Sequence, residues 1–393
     1  MILLGMGNFE EKACLCALNR IFGFEPRTGL ALISHFGGAK PIFEMDSKEL
    51  ESLTGPYFKY KGKISTHAVE KEAEELEKLA RLGISFCGYT EEDYPELLKE
   101  CDDPPIGIYI RSCTPTRELW KPRKRIAIVG TRDISPYGKE WCGRIVSSLA
   151  GTDAQPVIVS GLALGTDIVA HHSAIEQGLQ TIAVMATGPE TVYPARHRAF
   201  AERLAATAGC ALISDYPPGT APLAIHFLRR NRIIAGLSDA TILVESRIKG
   251  GGMTTCRLAF SYSRDVYALP GRVDDVRSQG CNELIRRKIA EPLTSTQDLI
   301  EALGYKSLSK GTTGGVIEHI LSAYQKHLPE ERLMILSAIL KLIRDSRGIT
   351  LEDLAQRTGQ SFKTIAELTG LLEIDGAIYI DLLQRCSLNY KNV

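Results

Sequence analysis

The stretch Phe227-Leu-Arg-Arg-Asn-Arg232 sets one aromatic ring, one carboxamide and three guanidinium groups close together. Guanidinium forks (Arg229, Arg230, Arg232) match the spacing of phosphate oxygens, and Asn231 adds a neutral donor and acceptor. Phe227 offers a face on which a base can stack, with His226 and Tyr193 as further stacking candidates. A short helix-like segment, Ile233 to Leu237, follows the cluster. The apolar run Ala240–Glu245 then empties into Gly250-Gly-Gly-Met-Thr-Thr255. A strand, then glycines, then a helix start exposes backbone N–H groups at the positive end of a helix dipole, an anion site. Gly251 and Gly252 let bare backbone approach a ligand and keep positive φ available. Taken singly, each arginine reads most simply as a surface ion pair and Phe227 as core. The cluster followed by the glycine loop points to an anionic ligand.

The elements that must position these residues run from about Arg125 to Leu303. Apolar runs at Ile126–Val129, Val157–Ser160, Thr181–Ala186, Ala211–Ser214, Ala240–Glu245 and Val266–Leu269 alternate with helical segments. That alternation predicts a parallel, doubly wound sheet with helices on both faces and a ligand beyond the carboxyl ends of the strands. The unusual residues fall at that edge: Gly130-Thr-Arg132, Ser160-Gly161 with Gly165-Thr-Asp167, Tyr193-Pro194, Asp215, the glycine loop, and Pro270-Gly271. Ser135 and Pro136 are placed as the cap and first residue of the helix after the first strand. Neither GxGxxG nor GxxxxGK[ST] occurs at the expected place, so neither a nicotinamide enzyme nor an NTPase is supported. HExxH and GxSxG are also missing. His171 and His172 are adjacent on a helix and point about 100° apart, which makes a shared metal ion a poor reading. The sequence calls for no cofactor, no metal and no catalytic residue.

The 44% hydrophobic and 24% charged content describes ordinary globular protein, and the zero net charge requires any nucleic-acid binding to use a local patch. Ten scattered cysteines without a CxxC pair imply reduced thiols. The Met1 end lacks a signal-like pattern, and no apolar run is long enough to cross a bilayer, so a cytoplasmic protein without a membrane partner is expected. Residues 1–82 read as a helical domain, with helices at Glu10–Phe22, Thr28–Phe36, Ser47–Leu53 (Ser47 as cap) and His67–Leu82. The turn His35-Phe-Gly-Gly-Ala39 resembles a helix-hairpin-helix or SAM-like element, which either touches a DNA backbone or only packs. Residues 83–304 hold the sheet, with added strands at Ile84–Tyr89 and Pro104–Arg111. A Gly/Ser/Thr-rich linker is expected over 305–316. Residues 317–393 read as a winged-helix-like domain of helices and a terminal strand at Ala377–Asp381. From Thr350 to Asp381 the bases are only Arg357 and Lys363, against six acids. A helix that reads DNA needs positive charge, so this domain is expected to contact protein or to pack.

The ordered set Gly130-Thr-Arg132, Ser160-Gly-Leu-Ala-Leu-Gly-Thr-Asp167, Tyr193-Pro194, Ile213-Ser-Asp215, Phe227-Leu-Arg-Arg-Asn-Arg-Ile-Ile-Ala-Gly-Leu237, Pro270-Gly271 and Gly280-Cys-Asn-Glu-Leu-Ile285 resembles the DNA-processing protein A family (DprA, also called Smf). The resemblance covers roughly residues 80 to 300, and more loosely the whole chain. It implies an extended Rossmann fold that binds single-stranded DNA, dimerises, protects incoming DNA and loads a RecA-type recombinase during natural transformation, without being an enzyme. Carried over residue by residue, it puts Arg132, Ser160, Gly161, Gly165, Phe227, Arg230, Asn231 and Arg232 in the DNA groove; Arg229, Gly251, Gly252 and Thr254 complete the expected site. The chain departs from the family pattern at Thr166, Asp215 and Met253, and at Arg286-Arg-Lys288, whose charges either extend the phosphate track or are merely solvated.

The competing reading is a Rossmann-fold phosphoribohydrolase acting on nucleoside monophosphates, whose glycine loop resembles Gly251-Gly-Met-Thr-Thr255. Its carboxylate positions hold Arg257 and Leu258 here. Oxocarbenium chemistry needs a carboxylate near the sugar. Glu245 at the strand end reads instead as an acceptor of loop hydrogen bonds.

Overall fold

The apolar runs expected as strands between Gly83 and Pro270 all join one sheet in a computed structural model of the chain, which describes residues 3–55, 57–308, 317, 320–325, 327–346, 348–381 and 384–388. The chain forms two units, Met1–Ser307 and Leu308–Val393. Most of the expected linker lies outside the described residues.

In the first unit, α1 (Leu3–Phe22), α2 (Pro26–Phe36), α3 (Lys40–Glu44), α4 (Ser47–Thr54) and α5 (Thr66–Arg81) precede the sheet. Helix α1 begins before Glu10, where its periodic pattern starts; Gly5 and Gly7 blur the pattern without ending the helix. The cap of α4 is Asp46 rather than Ser47, because the Asp46 carboxylate accepts from Lys48 N and Glu49 N while Glu49 reaches back to the Asp46 N–H. That is a full capping box. The helices bury Leu15, Leu18, Phe22, Ile42 and Leu79 together with Phe86 and Tyr109 of the sheet. Each such side chain contributes about 1.5–3 kcal/mol.

The remaining elements are β1 (Ile84–Gly88), α6 (Glu96–Lys99), β2 (Gly107–Arg111), α7 (Thr116–Leu119), β3 (Arg125–Val129), α8 (Pro136–Ala150), β4 (Val157–Ser160), α9 (Thr166–Glu176), β5 (Thr181–Val184), α10 (Arg198–Ala205), β6 (Ala211–Ser214), α11 (Ala224–Gly236), β7 (Ala240–Leu243), α12 (Gly251–Ser261), β8 (Asp265–Ala268), α13 (Gln279–Arg286), β9 (Glu291–Pro292) and α14 (Thr296–Ala302). The sheet runs β1-β2-β6-β5-β4-β3-β7-β8-β9. From β6 to β9 every pairing is parallel. The strands β1 and β2 add an antiparallel edge. The sheet is therefore mixed and mostly parallel. Its inner strands read as continuous apolar runs because helices cover both faces, with Ala127, Val129 and Val159 in one core and Ile126, Ile128 and Ile158 in the other. Ser135 caps α8 by accepting from Gly138 N, with Pro136 in the first turn. Chain order proceeds outward from β3 to β6, then restarts at β7 on the other side of β3. That reversal opens a crevice between the loops after β3 and β7.

The second unit contains helices Glu330–Asp345, Leu351–Thr358 and Phe362–Ile374 and a three-stranded antiparallel sheet of β10 (Ile349–Thr350), β12 (Arg385–Leu388) and β11 (Ile378–Ile380) in that order. Ile365, Leu368 and Leu372 are fully buried against Leu336, Ile339 and Leu340, so that helix face packs the unit's own core. Strands β10 and β12 escape a sequence reading because two to four residues carry too little alternation.

Candidate nucleic-acid interface

The basic cluster lies inside helix α11 rather than ahead of it. With 3.6 residues per turn, neighbouring side chains leave a helix about 100° apart. The arginines are therefore sent to separate places. Arg229 donates to the carbonyl oxygens of Phe24 (2.8 Å) and Gly23 (2.6 Å), tying α11 to the α1–α2 connection. Arg232 is buried and donates to the Asp215 carboxylate at 2.6 Å and to the Asp103 carbonyl. Only Arg230 of the three lines the crevice, together with Phe227 and Asn231.

The crevice holds a cavity of about 600 Å³ at the point where the strand order reverses. The loop after β3 contributes Gly130, Thr131 and Arg132; the loop after β7 contributes Ser246, Arg247, Lys249 and Gly250; α12 opens with Gly251 and Gly252. Tyr193 and Phe227 meet edge to face at 5.5 Å between ring centroids. The Arg132 guanidinium sits 5.1 Å above the Phe227 ring. Arg132, Arg247 and Lys249 are exposed, so their charge is available to a ligand.

Deeper in the cavity, Arg230 donates to the Val184 carbonyl oxygen at 2.5 Å, and its Nε is buried without a partner. Burial pulls the Arg230 guanidinium down from its ordinary value, and the nearby Asp167 carboxylate opposes that. Burial likewise pushes the Asp167 carboxyl up, opposed by Arg230 and by the Ala163 N–H it accepts at 3.3 Å. Among the described residues Asp167 is the one carboxylate lining the cavity. Glu245 lies behind it, accepting from Ser135 N (2.9 Å) and Ser135 Oγ (2.5 Å), while its carbonyl accepts from Thr131 N at 2.7 Å. It orders the loop after β3, as its place at the strand end suggested.

The glycine loop works differently from the expectation that it needs positive φ. Gly250 has φ −76°, and Gly251 and Gly252 are helical. Gly252 is glycine because a Cβ there would lie 2.6 Å from Leu243 Cδ1 and 3.3 Å from Gly130 Cα. The left-handed requirement falls on Gly165, at φ +73°, whose Cβ would lie 2.2 Å from the Thr131 carbonyl oxygen. Gly161 packs over Arg230 Nη1, where a Cβ would come within 2.0 Å. Gly161 and Gly165 thus shape the floor without lining it. Ser160 is buried and donates to the Ile128 carbonyl at 2.6 Å. Thr254 lies off the cavity, and Thr255 takes the lining position one residue on. Arg247 and Lys249, just ahead of the glycines, also line the cavity; in the sequence an isolated cation beside a loop is indistinguishable from a solvated surface charge.

Two other sequence features lie elsewhere. Arg286 and Arg287 both bond Glu283 at the far end of α13, next to β9 and away from the cavity. In the hairpin between α2 and α3, the N–H groups of Ala39 (2.7 Å) and Lys40 (2.8 Å) donate to the Glu11 carboxylate. The amides that would face a phosphate there are already occupied.

His171 is buried against β5, its Nδ1 2.7 Å from Thr181 Oγ1, while His172 packs on Phe200. The Thr181 hydroxyl donates to the Ile158 carbonyl, so His171 Nδ1 is the donor and Nε2 is left bare. Burial, with His172, Arg230 and His197 nearby, pulls the imidazole from 6.5 down to about 3. The unfolded chain then binds a proton that the folded chain refuses, so stability is full above about pH 6.5 and falls as the pH drops toward 3. Urea unfolding should lose about 2 kcal/mol from this group between about pH 7 and pH 5. A His171→Gln variant should show a correspondingly flatter profile; identical profiles would remove His171 as the cause.

The family model for DNA recombination-mediator protein A matches residues 85–304. The DNA processing protein DprA of Bacillus subtilis is 30% identical over 304 residues, covering 75% of this chain and 96% of that protein. Protein Smf of Synechocystis is 36% identical over 58% of this chain, which spans 56% of that relative's length. The X-ray structure of DNA processing protein A from Streptococcus pneumoniae aligns with TM-score 0.58 and 27% identity, covering 75% of this chain and 95% of that one.

Proposed function

The chain belongs to the DNA recombination-mediator protein A family, whose members are DNA-binding mediators and not enzymes, and on that premise we propose that its crevice binds single-stranded DNA. One observation carries the reading: an arginine stacked on a phenylalanine beside an exposed tyrosine, Arg132–Phe227–Tyr193, at the mouth of a cavity bounded by the start of α12. Single-strand binders combine cations along the backbone with aromatic faces that any base can use. Arg132, Arg247 and Lys249 supply phosphate contacts, the amides opening α12 supply a further anion site, and Phe227 and Tyr193 supply stacking. Arg230, Asn231, Gly161 and Gly165 hold that surface in shape.

In this reading the protein protects incoming single strands and loads a RecA-type recombinase onto them during natural transformation, acting as a cytoplasmic homodimer. The second unit is read as winged-helix-like and serves protein contact rather than duplex binding, given the six acids against two bases between Thr350 and Asp381 and the buried Ile365–Leu368–Leu372 face. Base hydrolysis is disfavoured because Arg257 and Leu258 stand at the carboxylate positions and Asp167 is engaged under Ala163.

Fluorescence anisotropy of labelled single strands against duplex, at two salt concentrations, tests the proposal. Salt-sensitive binding that prefers single strands and tightens with length is expected. Equal affinity for duplex, or none at low salt, rejects it.

A further inference from the structure

From the rim of the cavity, which Leu228 still lines, the first two turns of α11 carry an apolar ridge outward to solvent. Going round the helix from the cavity-facing Phe227, the successive side chains are Leu228, Ile225 and Arg229. Leu228 is 48% exposed and Ile225 50% exposed. The ridge ends on Phe24, in the connection between α1 and α2, which is 52% exposed. This ring is nonetheless held in place. The Arg229 guanidinium lies 4.4 Å over its centroid while bonding the Phe24 and Gly23 carbonyls. His226 and Tyr216 approach it at 5.7 and 6.5 Å.

The arrangement repeats the one at the cavity mouth. There Arg132 covers Phe227; here Arg229 covers Phe24. Both Nη groups of Arg229 are committed to backbone carbonyls. This arginine therefore orders the ring and is not spare charge for a phosphate. A half-exposed aromatic ring fixed by a cation at one side is a ready stacking surface for a planar base.

We propose that Phe24 is a second base-stacking platform, contributed by the N-terminal helices, for the single strand whose other end occupies the cavity. The proposal rests on the single-strand reading above and gives the N-terminal helices a part in it. The strand leaves Phe227, crosses Leu228 and Ile225, and sets a base on Phe24. The class of ligand is single-stranded nucleic acid without sequence preference, since every base has a stacking face.

The test uses the full chain and oligothymidylates of roughly 4 to 16 nucleotides. Phe24→Ala and Phe24→Leu should each weaken the longer strands by about tenfold, the loss of one stacked base. Short strands that fill only the cavity should keep parental affinity. Phe24→Trp should restore the longer strands. Phe24→Leu keeps apolar contact with Tyr216 and His226, so a loss shared by both variants at unchanged melting temperature reports stacking and not misfolding. Ultraviolet cross-linking of a 5-iodouracil-substituted strand should label the Phe24 peptide of the parent. Parental affinity of Phe24→Ala at every length, or cross-links confined to the cavity, would overturn the proposal and leave the ridge to a protein partner. A parent that binds no single strand would instead overturn the reading on which it rests.

Discussion

Replacing Arg232 by Met should cost about 3–5 kcal/mol of folding stability, the ordinary penalty for removing one partner of a buried ion pair. Arg232 and Asp215 are each about 5% exposed, and their heavy atoms meet at 2.6 Å. Burial opposes the Arg232 charge, but Asp215 and Asp103 outweigh it, and the guanidinium is held above its ordinary value. Without Arg232, the Asp215 carboxylate stays in the interior with one oxygen already lacking a hydrogen-bond partner. Urea denaturation should show a large drop in midpoint with little change in slope. Adding Asp215→Leu to Arg232→Met should recover at least half of the loss, because an apolar pair tolerates burial where a lone charge does not. At low denaturant, where the variant is still folded, single-strand affinity should match the parent. Parental stability with lost DNA affinity would return Arg232 to the groove.

The second large effect is electrostatic. Neutralising Arg132, Arg247 and Lys249 together to Gln should lower the slope of log affinity against log salt by about two units, at about 0.7 per phosphate for single strands. That corresponds to roughly fifty-fold weaker binding near 0.15 M salt, where counterion release from three contacts still matters. All three side chains are exposed, so the melting temperature should hardly move. Arg132→Gln alone should do more than either of the others, since its guanidinium also fixes the Phe227 ring from 5.1 Å. If the triple variant keeps the parental salt slope, phosphates do not run past these residues and the cavity serves some other ligand. Arg230→Glu is the less informative change, because it buries a carboxylate beside Asp167 and would report misfolding.

Local pattern carried the sheet. The runs at Val157–Ser160 and Ala211–Ser214 were legible to the residue and the one at Ile126–Val129 to within one, Arg125 opening that strand, because a strand buried on both faces is apolar along nearly all its length. Strand–helix alternation placed the glycine turns along one edge, and so predicted where a ligand would sit. The start of α8 at Ser135-Pro136 was legible because a cap is a contact between near neighbours.

The sequence could not say which way side chains leave a helix in the folded whole. Arg229, Arg230 and Arg232 look equivalent in a row, yet one ties α11 to Phe24, one supports the cavity floor, and one neutralises Asp215. Those partners lie 205, 46 and 17 residues away in the chain, so no local spacing predicts them. Arg247 and Lys249 reach the cavity for the same reason. By itself the sequence determined the longer strands and helices of the main sheet, their order and the edge where the glycine turns gather, because those follow from periodicity and near-neighbour contacts. Only tertiary structure decided which cations remain free for a ligand, because a charge is spent or spare according to the distant carbonyls and carboxylates that folding brings to it.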